Sequence, residues 1–80
     1  MTGVQVLYFA SLRQAAGVET EAVQTSSPDL AGLYAELRAR HGFAWDIAHL
    51  RVAMDGAFAR WDAAPVEGAQ IAFIPPVSGG

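Results

Sequence analysis

The stretch SSPDLAGLYAELRARHG, residues 26–42, constrains the fold of this chain more than any other. Ser27 is a good N-cap type, Pro28 suits the first helical position and Asp29 the first turn. Leu30, Leu33, Tyr34 and Leu37 then recur at i, i+3, i+4 and i+7, the apolar stripe of an amphipathic helix. Arg38, Arg40 and His41 gather at its C-terminal end, where the helix dipole favours cations, and Gly42 follows as a stop. One helix bounded at both ends cannot bury its stripe alone. The rest of the chain must supply a sheet for it to cover.

Strand signals are present on both sides of the helix. Residues 4–10, VQVLYFA, are rich in β-branched and aromatic types, and alternation places Val4, Val6 and Tyr8 opposite Gln5, Leu7 and Phe9. SLRQAAG reads as a loop or short turn closed by Gly17, and residues 18–24 as a second strand pairing with the first. FAWDIAHL reads as an irregular connection with a helical turn, pinned by Phe43, Trp45 and Ile47. RVAMDGAFARW is a hairpin around Asp55-Gly56, a dipeptide suited to a tight primed turn, and QIAFI is a last strand stopped by Pro75-Pro76. The order ββαβββ, with one main helix on a mixed sheet of four to five strands, is α+β, and the arrangement suggests a β-grasp. Val4, Val6, Tyr8, Ile71 and Phe73 are the expected core face.

Composition limits the function. The 80 residues make one domain, 1–80, with residues 75–80 expected as a flexible, extended tail. Without cysteine there is no disulfide framework and no thiolate metal site. No apolar run approaches the roughly 18–20 residues that span a membrane, and the N-terminus lacks a basic leader region, so a cytoplasmic setting is expected. A net charge of −3, with five dispersed arginines and no lysine, argues against a nucleic-acid partner.

The usual catalytic constellations are missing. His41 and His49 have no metal-ligand spacing, so no metal is expected, and His41 is explained as a helix-end cation. No serine lies in a G-x-S-x-G context and no glycine-rich phosphate loop occurs. Trp45, Trp61 and Tyr34 read as core aromatics. Alternation sets Leu7 and Phe9 opposite the core face of the first strand, and if the strands are neighbours Phe9, Phe58 and Ile74 form an apolar patch away from the helix, suited to a partner unless FAWDIAHL folds over it or the register differs. The remaining reactive group is the α-carboxylate of Gly80. Pro75 and Pro76 end strand pairing and stiffen the exit. Val77 and Ser78 offer small anchors, and Gly79-Gly80 could pass a narrow channel.

In VQVLYFASLRQAAG, in VAMDGAFARWDAAPVEGAQIAFIPPVSGG and above all in the ending PPVSGG, the chain resembles the small subunit of molybdopterin synthase. These are the MoaD-type sulfur carriers of the ubiquitin-like β-grasp class. The resemblance covers essentially the whole chain and is loose at FAWDIAHL. It implies adenylation of Gly80 by an E1-like enzyme using ATP, conversion to a thiocarboxylate with a sulfur donor protein, and sulfur transfer to cyclic pyranopterin monophosphate. The catalytic residues would lie on the large synthase subunit, in a heterotetramer. It also implies a tail-binding segment of Pro75, Pro76, Val77, Ser78 and Gly79, and partner contacts at Phe9, Arg13, Phe58 and Ile74. Alternatives are a carrier of the thiamine-thiazole or cysteine pathway, and a ubiquitin-like protein modifier.

Overall fold

Five strands form one mixed sheet in the order β2-β1-β5-β3-β4: β1 Thr2–Tyr8, β2 Thr20–Thr25, β3 Arg51–Met54, β4 Ala57–Ala59 and β5 Gln70–Ile74. The first strand runs antiparallel to β2 and parallel to β5, and β3 is antiparallel to both β5 and β4. This computed structural model describes residues 1–76, so the expectations for Val77, Ser78, Gly79 and Gly80 lie outside the described residues. Two helices, α1 Ala10–Ala16 and α2 Leu30–His41, and a 3₁₀ turn at Ile47–His49 complete the α+β, β-grasp arrangement.

The helix stripe and the sheet face meet as their periodicities require. Leu30, Leu33, Tyr34 and Leu37 of α2 are buried, together with Val4, Val6, Tyr8, Val52, Ile71 and Phe73 of the sheet. Phe73 is fully covered, its ring edge-on to Tyr34 at 5.2 Å and stacked on Trp61 at 5.9 Å. The hairpin turns at Asp55 and Gly56 with φ of 52° and 84°, the left-handed pair a primed turn needs.

Four expectations are corrected. β1 ends at Tyr8, two residues early, because Phe9 becomes the N-cap of α1 and Ala10 takes a φ of 50° at the bend. The expected loop SLRQAAG is helical from Ala10, as its alanine-rich composition permits, with Leu12 buried and Gly17 closing it in the left-handed conformation. Finally, α2 is capped by Asp29 rather than Ser27: Asp29 Oδ1 accepts from Gly32 N at 2.8 Å. Ser27 is drawn one turn back, where its hydroxyl donates to Asp29 O at 2.8 Å. The second strand also begins two residues late, at Thr20.

That rearranged cap leaves little room for a side chain at position 32. Alanine in a helix interior ordinarily gains about 1 kcal/mol over glycine. Here an added methyl would run into the Ser27 hydroxyl and come within 3.2 Å of Asp29 Oδ1. Gly32→Ala is expected to cost about 1–3 kcal/mol in urea unfolding, and most of that loss should vanish in a Ser27→Gly background. An unchanged midpoint for the single variant would show that Ser27 yields freely.

A half-buried carboxylate ties β1, β2 and α2 together. Glu21 Oε1 accepts from Tyr8 OH at 2.6 Å and lies 2.9 Å from His41 Nε2, while Oε2 accepts from Arg40 at 3.1 Å. Burial raises the Glu21 carboxyl, but the hydrogen bonds from Tyr8, His41 and Arg40 outweigh it and hold the group below its ordinary range. Burial, then the bond to Glu21, pushes the Tyr8 phenol up. A carboxyl depressed on folding contributes stability that is complete above its unfolded pKa and is lost as pH falls through the lower folded value. Glu21→Gln is therefore expected to flatten the acid limb of the stability curve below about pH 4.5. At neutral pH it should cost about 1 kcal/mol. Parallel acid limbs for the two proteins would remove Glu21 as the source.

Candidate functional site

The sheet face turned away from α2 carries the features that binding needs. Strand register sets Leu7 beside Ala72, Ala72 beside Ala53, and Ala53 beside Phe58, one apolar row across four strands. Its centre is two alanines and its end is Phe58, 69% exposed. Small residues between Leu7 and Phe58 leave a shallow trough, and β4 is the edge strand that presents the phenylalanine.

Two residues further along on the same face, Ile74 pairs with Arg51. Here a depression of about 300 Å³ is lined by His49, Arg51, Phe58, Ile74, Pro75 and Pro76. The Arg51 guanidinium carbon sits 5.5 Å from the centre of the Phe58 ring, a cation–π contact. Pro75 and Pro76 are thus both the stop of β5 and part of the wall.

Phe9 and Arg13 lie elsewhere on the surface. Phe9, 45% exposed, and Arg13 line a second hollow of about 340 Å³ with Leu7, Tyr8, Ala10, Glu19 and Thr20. Arg13 reaches Glu19 Oε1 at 3.3 Å there. The four residues expected at a partner surface therefore fall into two pairs, Phe58 with Ile74 and Phe9 with Arg13. Leu7 belongs to the second hollow and also opens the apolar row, so the row runs between them.

The connection at residues 43–50 packs on the helix side rather than over this face. Phe43 is buried against Tyr8 and stacked on Tyr34. Trp45 O accepts from Tyr34 OH at 2.6 Å and Trp45 Nε1 donates to Ser11 Oγ at 3.0 Å, while Arg38 Nε donates to Phe43 O at 3.1 Å. Burial raises the Tyr34 phenol, with opposing influences from Arg38 and Asp46. Only the end of the 3₁₀ turn, His49, reaches the Phe58 hollow.

Arg51, Ala53, Ala72 and His49 were not singled out as site residues from the sequence. Alternation alone assigns Ala53 and Ala72 to the open face. Their adjacency depends on β5 lying between β1 and β3, which no local pattern reveals. The linings offer cations, aromatic planes and aliphatic surface, which is the chemistry of docking. Among the described residues no group of three His, Cys, Asp or Glu could hold a metal ion, and no helix is long and apolar enough to cross a membrane.

Comparison with known proteins gives this geometry a context. The family profile described as the ThiS family matches residues 6–80. No curated protein sequence matches the chain. Among solved structures, a Pyrococcus furiosus protein assigned as molybdopterin converting factor, subunit 1, is 28% identical over 96% of this chain and 100% of that one, with a TM-score of 0.80. SAMP1 from Haloferax volcanii, a small archaeal modifier protein, is 27% identical over 98% of this chain and 99% of that one, at 0.75. A chain from the complex of subunits 1 and 2 of molybdopterin-converting factor from Helicobacter pylori 26695 is 22% identical over 99% and 100%, at 0.68, and shows a shared fold.

Proposed function

The chain belongs to the ThiS family, sulfur carriers of the ubiquitin-like ThiS and MoaD type, and from that premise we propose that it is the sulfur-donating subunit of a molybdopterin synthase. The observation that carries the reading is that the family match runs through residue 80, so that PPVSGG falls inside it. The pathway rests on the similarity to the Pyrococcus furiosus protein over nearly the whole of both chains.

On this reading Gly80 is the reacting residue. An E1-like enzyme joins its α-carboxylate to the AMP moiety of ATP and releases pyrophosphate. A sulfur nucleophile delivered by a donor protein then attacks the glycyl carbonyl, the acyl–phosphate bond breaks, and AMP leaves. The resulting thiocarboxylate supplies the sulfur that converts cyclic pyranopterin monophosphate to the dithiolene of molybdopterin. ATP is held by the activating enzyme, and the catalytic side chains belong to the large subunit, with which two carriers form a heterotetramer in the cytoplasm.

Pro75 and Pro76 direct Val77, Ser78 and Gly79 into the large subunit's channel, and Phe58 and Ile74, with Phe9 and Arg13, make the flanking contacts. The exposed Phe58 beside the tail root fits this division, and the Helicobacter pylori complex offers a precedent for a two-subunit assembly in this fold. Intact-mass analysis after incubation with ATP, an activating enzyme and a sulfur donor tests the reading. One oxygen replaced by sulfur, localised to Gly80 by fragmentation, is expected. The similarity to SAMP1 favours a second reading, a protein modifier. A ladder of lysine conjugates without pterin conversion would establish that one instead.

A further inference from the structure

Arginine pairing sets one side chain apart. The sequence has five arginines against eight acidic residues, so carboxylates are in excess. Four arginines are matched: Arg13 with Glu19 at 3.3 Å, Arg38 with Asp46 at 3.7 Å, Arg40 with Glu21 at 3.1 Å and Arg60 with Asp62 at 3.0 Å. Arg51 has no carboxylate partner among the described residues; its guanidinium is laid over the ring of the most exposed aromatic side chain, Phe58. A guanidinium over an aromatic face has no acceptor there for its N–H donors, and a carboxylate can take two of them in parallel.

The surroundings say what kind of carboxylate fits. The hollow continues into the apolar row formed by Phe58, Ala53, Ala72 and Leu7, and its other walls are Ile74, the two prolines and His49. A cation bordered by aliphatic and aromatic surface matches an acidic side chain set in an apolar stretch of a folded protein. The net charge of −3 disfavours a polyanion, whose other charges would be repelled.

We propose that Arg51, seated over the Phe58 ring, is the ion-pairing anchor of the docking face, and that it takes an Asp or Glu carboxylate of the large synthase subunit. This assignment rests on the reading given under Proposed function. It adds a charged recognition element beside the tail exit, where the sequence alone offered only apolar contacts and Arg13. An ion pair placed there orients the partner before the tail enters and makes association depend on salt.

The test measures affinity of the full chain for the large subunit by titration calorimetry across a salt series, with unfolding temperature monitored in parallel. Arg51→Glu is expected to weaken binding roughly 10- to 100-fold at unchanged unfolding temperature. Arg51→Gln should weaken it less and reduce the salt dependence, and Arg51→Lys should retain the salt dependence with part of the affinity. Reversal to Arg of the facing acidic residue on the large subunit should restore binding to Arg51→Glu. Should Arg51→Glu unfold, Arg51→Gln with its salt series decides. Equal affinities for wild type and Arg51→Gln, or absence of any rescuing reversal, overturn the assignment while the synthase reading stands. Loss of wild-type self-association in Arg51→Glu, with large-subunit affinity unchanged, would give the surface to a second copy and also overturn it. A wild-type chain that acquires sulfur but does not bind the large subunit overturns both this anchor and the synthase reading.

Discussion

A chain lacking Gly80 is expected to acquire no sulfur and support no pterin conversion, while unfolding at the wild-type temperature. On the proposed reading the missing residue carries the acyl group, and no other carboxylate is offered from the same reach. Cutting the chain at Gly79 leaves a terminal carboxylate, but it retracts the reacting carbon by one residue, about 3.3 Å. Misplacement by even about 1 Å can cost about 100-fold when reacting groups must be aligned. The fold is expected to survive, since β5 ends at Ile74 and the last buried position among the described residues is Pro75, well short of the deletion. The measurements are intact mass after activation, pterin turnover with the large subunit, and thermal unfolding. Sulfur uptake and pterin turnover at the wild-type level by the shortened chain would end the assignment of the reaction to Gly80. A lowered unfolding temperature would show that the tail also serves the domain.

Phe58→Asp should have the next largest effect. Phe58 is 69% exposed on a three-residue edge strand, so replacing it removes little from the core and the unfolding temperature should hold. In a complex, the same position would place a carboxylate in a desolvated apolar contact and withdraw the ring that supports Arg51. Truncations of central aromatic anchors commonly cost about 2–4 kcal/mol, and a fall of about 30- to 1000-fold in large-subunit affinity is expected here. Calorimetric titration checks it. Wild-type affinity in this variant would remove Phe58, and the row that ends on it, from the docking surface.

How far these sites could be read from the sequence depended on the range of the interactions. The α2 stripe, the Asp55-Gly56 turn and the alternation in β1 and β5 are local periodicities, and each appears in the structure with its expected face buried or exposed. The short helix α1 escaped because seven residues with a single buried leucine carry almost no periodic signal, and Gly17 fits a turn as well as a helix stop. Asp29 displaced Ser27 as the cap because both residue types suit that position. Which one wins depended on Ser27 bonding back to Asp29 O. At the candidate site, Phe58 and Ile74 followed from alternation, whereas Arg51 and His49 required knowing that β3 lies against the last strand. Charge matching among arginines is likewise a property of the folded surface: Arg40 and Glu21 are far apart in the chain and meet only through the packing of α2 on β2.

The central position of β5 has a mechanical consequence. It lies between β1 and β3, paired with both, and its C-terminal end is the root of the tail. A pull along the tail therefore loads two ladders of hydrogen bonds in shear, all at once, whereas an edge strand would peel away one bond at a time. If the segment after Pro76 is drawn into partner proteins, as proposed, the domain is anchored where it resists traction best.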